Sequence, residues 1–323
     1  MVDSSRPLPV WIDTDPGIDD ALAILFAAKC SELRIEGVST SFGNTPIEFS
    51  TRNALHWLRL VGRHDIPVYQ GAAGPLVQRR RPMAGAPEVH GPEGAGSEKL
   101  PEPNRSYRPT PGYAAVELVR RVMEKPGELT ILGLAPLTNI ALAMRLEPSF
   151  IDNVRQIIWM GGIVKGHGNV GPFTTANVLS DVEAASIVFS ESKGKLTQVG
   201  QDVTRHVRIE PERLDRIGSH GDVDKSIVSL AQFYRDAYLK LEDLAGFPVH
   251  DLVVIAFGLR PDWFTKHQLN VRVDRCGEFT MGMTVADFRS KSESPKDVTV
   301  CMATTKSSEI LDWFEATLRR ATR

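Results

Sequence analysis

Apolar positions along the chain follow two alternating rhythms. Runs of strand length, "LPVWID" (8–13), "RIEGVSTSF" (34–42), "ELTILGL" (128–134), "VRQIIWMGG" (154–162) and "KLTQVGQDVT" (195–204), are nearly continuous in apolar character, as strands buried on both faces are. Between them lie stretches whose apolar residues recur at three and four: "DDALAILFAAKC", "IEFSTRNALHWLRLVG", "TNIALAMRL" and "DVEAASIVFSES". A short run, "IPVYQG" (66–71), adds another strand after the second helix. Strand-then-helix repetition predicts an α/β fold with one open, mostly parallel, Rossmann-like sheet flanked by helices. Three late runs, "HQLNVRVD", "FTMGMTVADF" and "DVTVCMAT", stand close together and predict a small added antiparallel portion. "SSEILDWFEATLRRA" reads as a capped amphipathic helix at the end.

One segment breaks the rhythm. Residues 78–112 are rich in Gly, Pro and charge, and a loop that long inside a compact domain is read as a flexible lid. No interdomain linker is evident elsewhere, so residues 1–323 read as one domain. Composition adds exclusions. With 42% hydrophobic residues the 323-residue chain can build a large core, and a net charge of −2 gives no field to recruit nucleic acid or an anionic membrane. The three cysteines, Cys30, Cys276 and Cys301, are odd in number and far apart, which argues for a reducing compartment. The N-terminal "MVDSSRPLP" has no apolar core of signal-peptide length and no run approaches 18 apolar residues, so a soluble cytoplasmic protein is expected.

The chemistry begins where the first strand ends. "VWIDTDPGIDDALAIL" places Asp13, Asp15, Asp19 and Asp20 within eight positions. Asp19 and Asp20 suit a helix N-terminus through the macrodipole alone. Asp13 and Asp15 lie on or beside a buried strand, where an uncompensated carboxylate is costly. A hard divalent cation, Ca²⁺ or Mg²⁺, resolves the conflict. The turn lacks the spacing of an EF-hand, and a strand ending in D-x-D also suits an aspartyl-phosphate phosphotransferase with Asp13 as nucleophile, which stands as a rival. Further polar residues fall at predicted strand ends, where α/β sheets bind ligands: Asn44, Thr138, Asn169, Asn177, His250 and Asp251. Asn139 reads as a local helix-start residue, and Tyr234 and Tyr238 as core-edge aromatics when taken alone.

Taken in order, "DTDPGIDDA", "GN", "LTNIALA", the "MGG…GN…N…D.EAA" stretch and "HD" before an apolar helix resemble the inosine–uridine-preferring nucleoside hydrolases over roughly residues 10 to 260. The resemblance implies a Ca²⁺ enzyme that splits the N-glycosidic bond of a ribonucleoside, with homodimers or homotetramers usual. It implies that Asp15 is the general base and a metal ligand, with Asp20, the Thr138 carbonyl and Asp251 as further ligands. Asp19, Asn44 and Asn177 would hold the ribose diol, and Asn169 the 5′ end. His250 would protonate the leaving base, with Tyr234, Tyr238 and His90 closing the base pocket. Asp13 is better read as support. One departure is visible: relatives carry Glu and an aromatic where this chain has Thr175 and Ala176. The missing 5′ contact leaves Glu88, Glu93 and the Arg79–Arg81 cluster as replacements, and a non-catalytic nucleoside or ribose binder as an alternative function.

Overall fold

The strand predicted first lies inside the sheet. In this computed structural model, which describes residues 6–77, 85–103, 107–220, 225–291 and 295–320, the strands in chain order are β1 (Leu8–Thr14), β2 (Leu33–Thr40), β3 (Val68–Gln70), β4 (Thr130–Gly133), β5 (Gln156–Met160), β6 (Leu196–Val199), β7 (Arg208–Ile209), β8 (Phe247–Pro248), β9 (Phe264–Val273), β10 (Thr284–Asp287) and β11 (Val298–Thr304). Nine of them form one sheet in the order β10-β9-β11-β6-β5-β4-β1-β2-β3, while β7 and β8 pair separately. From β3 to β11 every pairing is parallel. Only β9 runs against its neighbours β11 and β10, so the late strands do supply the antiparallel portion.

The period of two along β1 sorts its side chains onto two cores. Leu8, Val10 and Ile12 join the cluster made with the helices Ile18–Lys29, His250–Leu259 and Ser307–Leu318. Trp11 joins the opposite cluster, with the helices Ala114–Glu124, Thr138–Leu146 and Val182–Glu191. Asp13 falls in phase with Trp11 and meets Asn139, from the helix Thr138–Leu146, within that second layer. The strand then ends, and its continuation Asp15-Pro16-Gly17 turns directly into the helix Ile18–Lys29.

Two local expectations change. The last helix, Ser307–Leu318, has Lys306 at its N-cap with no side-chain cap bond, because the Ser307 hydroxyl donates instead to the His206 carbonyl at 3.4 Å. The described part of the 78–112 segment is tethered rather than loose. Its short helix Pro87–His90 begins beside Ala86, whose amide donates to the Asn44 carbonyl at 3.1 Å. Glu93 is clamped by the buried Arg52 (2.5 Å) and accepts at its carbonyl from Asn53 (2.8 Å). Residues 78–84, including Arg79–Arg81, lie outside the described residues.

Candidate active site

The turn after β1 builds an acidic floor whose members hold each other through hydrogen bonds. Asp20 accepts from the Thr14 hydroxyl, from the Gly17 amide at 3.1 Å and from the Asn44 carboxamide at 2.9 Å. Asp15 accepts from the Asn44 amide at 2.7 Å through Oδ2, while its buried Oδ1 has no partner. Gly43 is required here: it sits at φ +152°, and a Cβ would lie 1.9 Å from Asp15 Oδ2. Oδ1 of Asp19 is also buried without a partner. Asp251 enters from the start of the helix His250–Leu259, and ligand oxygens of Asp19, Asp20 and Asp251 come within 4.8 Å of one another.

Burial raises every one of these carboxyls. Asp15 is pushed well above the usual carboxylate range by burial and then by the charge of Asp20, and Asp251 by burial and then by Asp20, Asp19 and Asp15. Asp19 and Asp20 are raised by burial too. The nearest basic group to Asp19 is His90, 3.9 Å from its Oδ1, and that ring is neutral because burial holds it at about 3. Converging buried carboxylates, with orphaned oxygens on Asp15 and Asp19 and no cationic partner among the described residues, are what a hard metal cation satisfies, so the donor set fits a divalent metal.

Beside the carboxylates stands a wall of rings. His90 stacks on Tyr234 with centroids 5.4 Å apart and planes 27° from parallel, and Tyr234 packs edge-on against Tyr238. The Ile18 amide donates to His90 Nδ1 at 3.1 Å, so the ring proton resides on Nε2. His250 is bonded at both nitrogens, Nδ1 to the Thr204 hydroxyl (2.7 Å) and Nε2 to the Tyr238 hydroxyl (3.2 Å). Burial holds it at about 3 as well. Carboxylates and rings enclose a cleft of about 390 Å³, also lined by Asn44, Leu134, Asn177 and Gln201.

The profile of the inosine-uridine preferring nucleoside hydrolases matches residues 10–309. The chain belongs to that family. Uridine nucleosidase 1 of Arabidopsis thaliana is 40% identical over 281 residues, covering 85% of this chain and 81% of the relative. The non-specific ribonucleoside hydrolase RihC of Salmonella typhi is 36% identical over 296 residues, 92% of this chain and 93% of the relative. Among solved structures a plant nucleoside hydrolase, PpNRh1, superimposes with a TM-score of 0.88 at 32% identity, covering 97% of this chain and 99% of that one. The chain is thus a nucleoside hydrolase in fold and family.

Most residues expected from the sequence meet at the cleft, with changed duties for some. Asp19, Asn44, His90, Asn169, Asn177, Tyr234, Tyr238, His250 and Asp251 line it; Asp15 and Asp20 are fully buried and do not. Thr138 is not among the cleft-lining residues, and its hydroxyl donates to Asp181 at 2.7 Å. Leu134, just past β4, lines the cleft instead, and its carbonyl accepts from Asn177 at 2.6 Å. Backbone carbonyls carry no residue-type signal, so sequence could not choose between the two. His250 lines the cleft as expected, with both ring nitrogens already hydrogen-bonded.

Asn44 spends its donors on Asp15 and Asp20, and the Asn169 carboxamide accepts from its own loop at the Ala176 amide. At the departure, the Thr175 hydroxyl accepts from the Gly162 amide at 2.8 Å. Of the proposed replacements, Glu88 lines the cleft and Glu93 is tied to Arg52. Sequence reading missed Asn139, which donates to Asp13 (2.8 Å) and to the Thr40 carbonyl (3.0 Å). It also missed Gln201 and Thr204, although both follow β6 and obey the same strand-end rule.

Proposed function

We propose that this cleft hydrolyses the N-glycosidic bond of a ribonucleoside to free base and ribose with Ca²⁺ as cofactor. The observation that carries the reading is the convergence of buried Asp19, Asp20 and Asp251 at a cleft also lined by His90, Tyr234, Tyr238 and His250. Asp20, Asp251, Asp19 and Asp15 would hold the ion, with the Leu134 carbonyl as the backbone donor at hand. When bound, Ca²⁺ offsets these carboxylates and makes water in the cleft more acidic. Asp15 Oδ1, free while Oδ2 is pinned by Asn44, accepts the proton of the attacking water. Asp19 and the Asn177 carbonyl oxygen hold the sugar diol, since the Asn177 amide is already committed to Leu134 and Met160. The carboxylates also stabilise positive charge on the ribosyl ring, which is oxocarbenium-like at the transition state.

On the leaving side, both histidines are neutral, so the base departs on hydrogen bonds from neutral donors. His90 Nε2–H and the Tyr238 hydroxyl serve there, and His250 with Thr204 extends the chain along which a proton is resupplied. Against the phosphotransferase reading, one oxygen of Asp13 is held by both Ser39 and Asn139 within the layer of Trp11, and the family match is to nucleoside hydrolases. Uridine is the first substrate to try, because the Arabidopsis relative is named for it. A cytoplasmic setting and an assembly of two or four copies complete the proposal. Free thiols at Cys30, Cys276 and Cys301 support the first, and exposed Val116, Met123 and Leu146 on neighbouring helices support the second.

The test follows free base and ribose from uridine, cytidine and inosine, with and without chelator. Release abolished by chelation and restored by Ca²⁺ is expected. Release indifferent to exhaustive chelation sinks the metal mechanism, and binding without release points to the non-catalytic binder.

A further inference from the structure

A second chamber of about 290 Å³ opens off the cleft, sharing Asn169, Gln201, Tyr238, Glu242 and His250 with it. Beyond the shared rim its character changes. Its walls carry Arg205, Arg208, His167 and His206, and Glu242, exposed at the mouth, is the one carboxylate among its lining residues. Arg205 has a ring and no carboxylate for company: its Nη1 lies 3.4 Å from His167 Nε2, and no acid among the described residues pairs with it. Arg208 has only an exposed pairing with Glu210 at 3.3 Å, which is worth little in water. At the junction Gln201 is 2% exposed and its Oε1 has no hydrogen-bond partner. A buried, unsatisfied carboxamide is costly unless a ligand completes it, and the part-exposed Arg205 guanidinium nearby has no acid among the described residues to compete with one.

We infer that this annex receives an anionic substituent of the nucleoside, a phosphate or carboxylate extending from the sugar or base held in the main cleft. The inference rests on the hydrolase reading of that cleft. Guanidinium forks suit planar or tetrahedral oxyanions, which a neutral nucleoside does not offer. Gln201, Thr204 and Arg205 come from one turn after β6, so the segment that positions His250 also carries the charge reader. Neutral Thr175 and Ala176 line the cleft near the shared Asn169, so no carboxylate there repels an incoming anion.

Products are the simplest probes because they bind without turnover. Calorimetric titration of the full-length, Ca²⁺-loaded protein compares ribose with ribose 5-phosphate and uracil with orotate. Tighter binding of an anionic member, by roughly tenfold, is expected, the scale of one charge-assisted hydrogen bond. A gain with ribose 5-phosphate places the anion at the 5′ end, and a gain with orotate places it on the base. The gain should vanish in Arg205→Gln and partly return in Arg205→Lys. Equal binding within both pairs overturns the inference. So does a gain that survives in the Arg205→Gln, Arg208→Gln double variant, because it would then come from the metal ion. Either failure with uridine still hydrolysed removes the annex alone, whereas absent hydrolysis of every nucleoside removes the reading beneath it.

Discussion

Asp13 and Asp15 are two positions apart and have different duties, because β1 ends at Thr14 and Asp15 leaves the layer that Asp13 shares with Trp11 as the chain turns into the helix Ile18–Lys29. Asp13 shares the layer of Trp11 and is held by Ser39 and Asn139, and burial pushes it up to about 6. Asp13→Asn should keep measurable turnover while losing roughly 1–3 kcal/mol of stability, since the new amide opposes the Asn139 amide. Parallel turnover and denaturation measurements check this, and complete loss of turnover in a folded variant would revive Asp13 as a nucleophile. Asn44 fixes Asp15 and Asp20 together. Asn44→Ala is expected to weaken Ca²⁺ binding by about 10–100-fold, read by ion titration. His250→Ala should slow uridine cleavage by roughly 10²–10⁴-fold but spare a riboside with a good leaving group, which needs no proton. Equal losses on both substrates would remove His250 from leaving-group assistance.

At the scale of elements, the first helix and the lid meet at one point. The Ile18 amide at the helix N-terminus donates to His90, at the end of the helix Pro87–His90, and the contact is close because residue 17 has no side chain. A Cβ on Gly17 would sit 2.6 Å from His90 Nδ1 and 2.9 Å from Asn44 Nδ2. Gly17→Ala is therefore expected to displace His90 and lower kcat/KM by up to about 10²-fold, the scale set by ångström misplacements. Gly74→Ala, whose methyl meets nothing within 4 Å, is the silent control. If Gly17→Ala matches that control in steady-state kinetics, the lid contact does not position the site.

For the whole molecule, the acidic floor couples stability to pH and to metal. Asp13, Asp15, Asp19, Asp20 and Asp251 all have folded-state pKa values above the unfolded ones. Without a cation the folded chain keeps protons that the unfolded chain has released, so this contribution is lost as pH rises from about 4 upward. A cation displaces those protons and its stabilisation grows with pH. Thermal melts should therefore show a larger Ca²⁺-induced rise in Tm at about pH 8 than at about pH 5; an increment that shrinks with pH contradicts a carboxylate site. His90 and His250 act in the other sense. Their folded values of about 3 lie below the ordinary one, so their stabilisation is lost as pH falls from about 6.5.

The sequence by itself determined the alternation of strands and helices, the late antiparallel strands and the place of the acidic turn. These depend on periodicity and on chain neighbours, which are local properties. It also located most cleft residues, because strand ends in a parallel sheet share one rim. Only the tertiary structure decided that Leu134 rather than Thr138 lines the cleft, and that burial lowers the pKa of both histidines. Those outcomes depend on which distant groups exclude water from a side chain and on which stretch of backbone reaches the cleft. The annex around Arg205 follows the same division: its residues are plain in the sequence, and the company they keep is not.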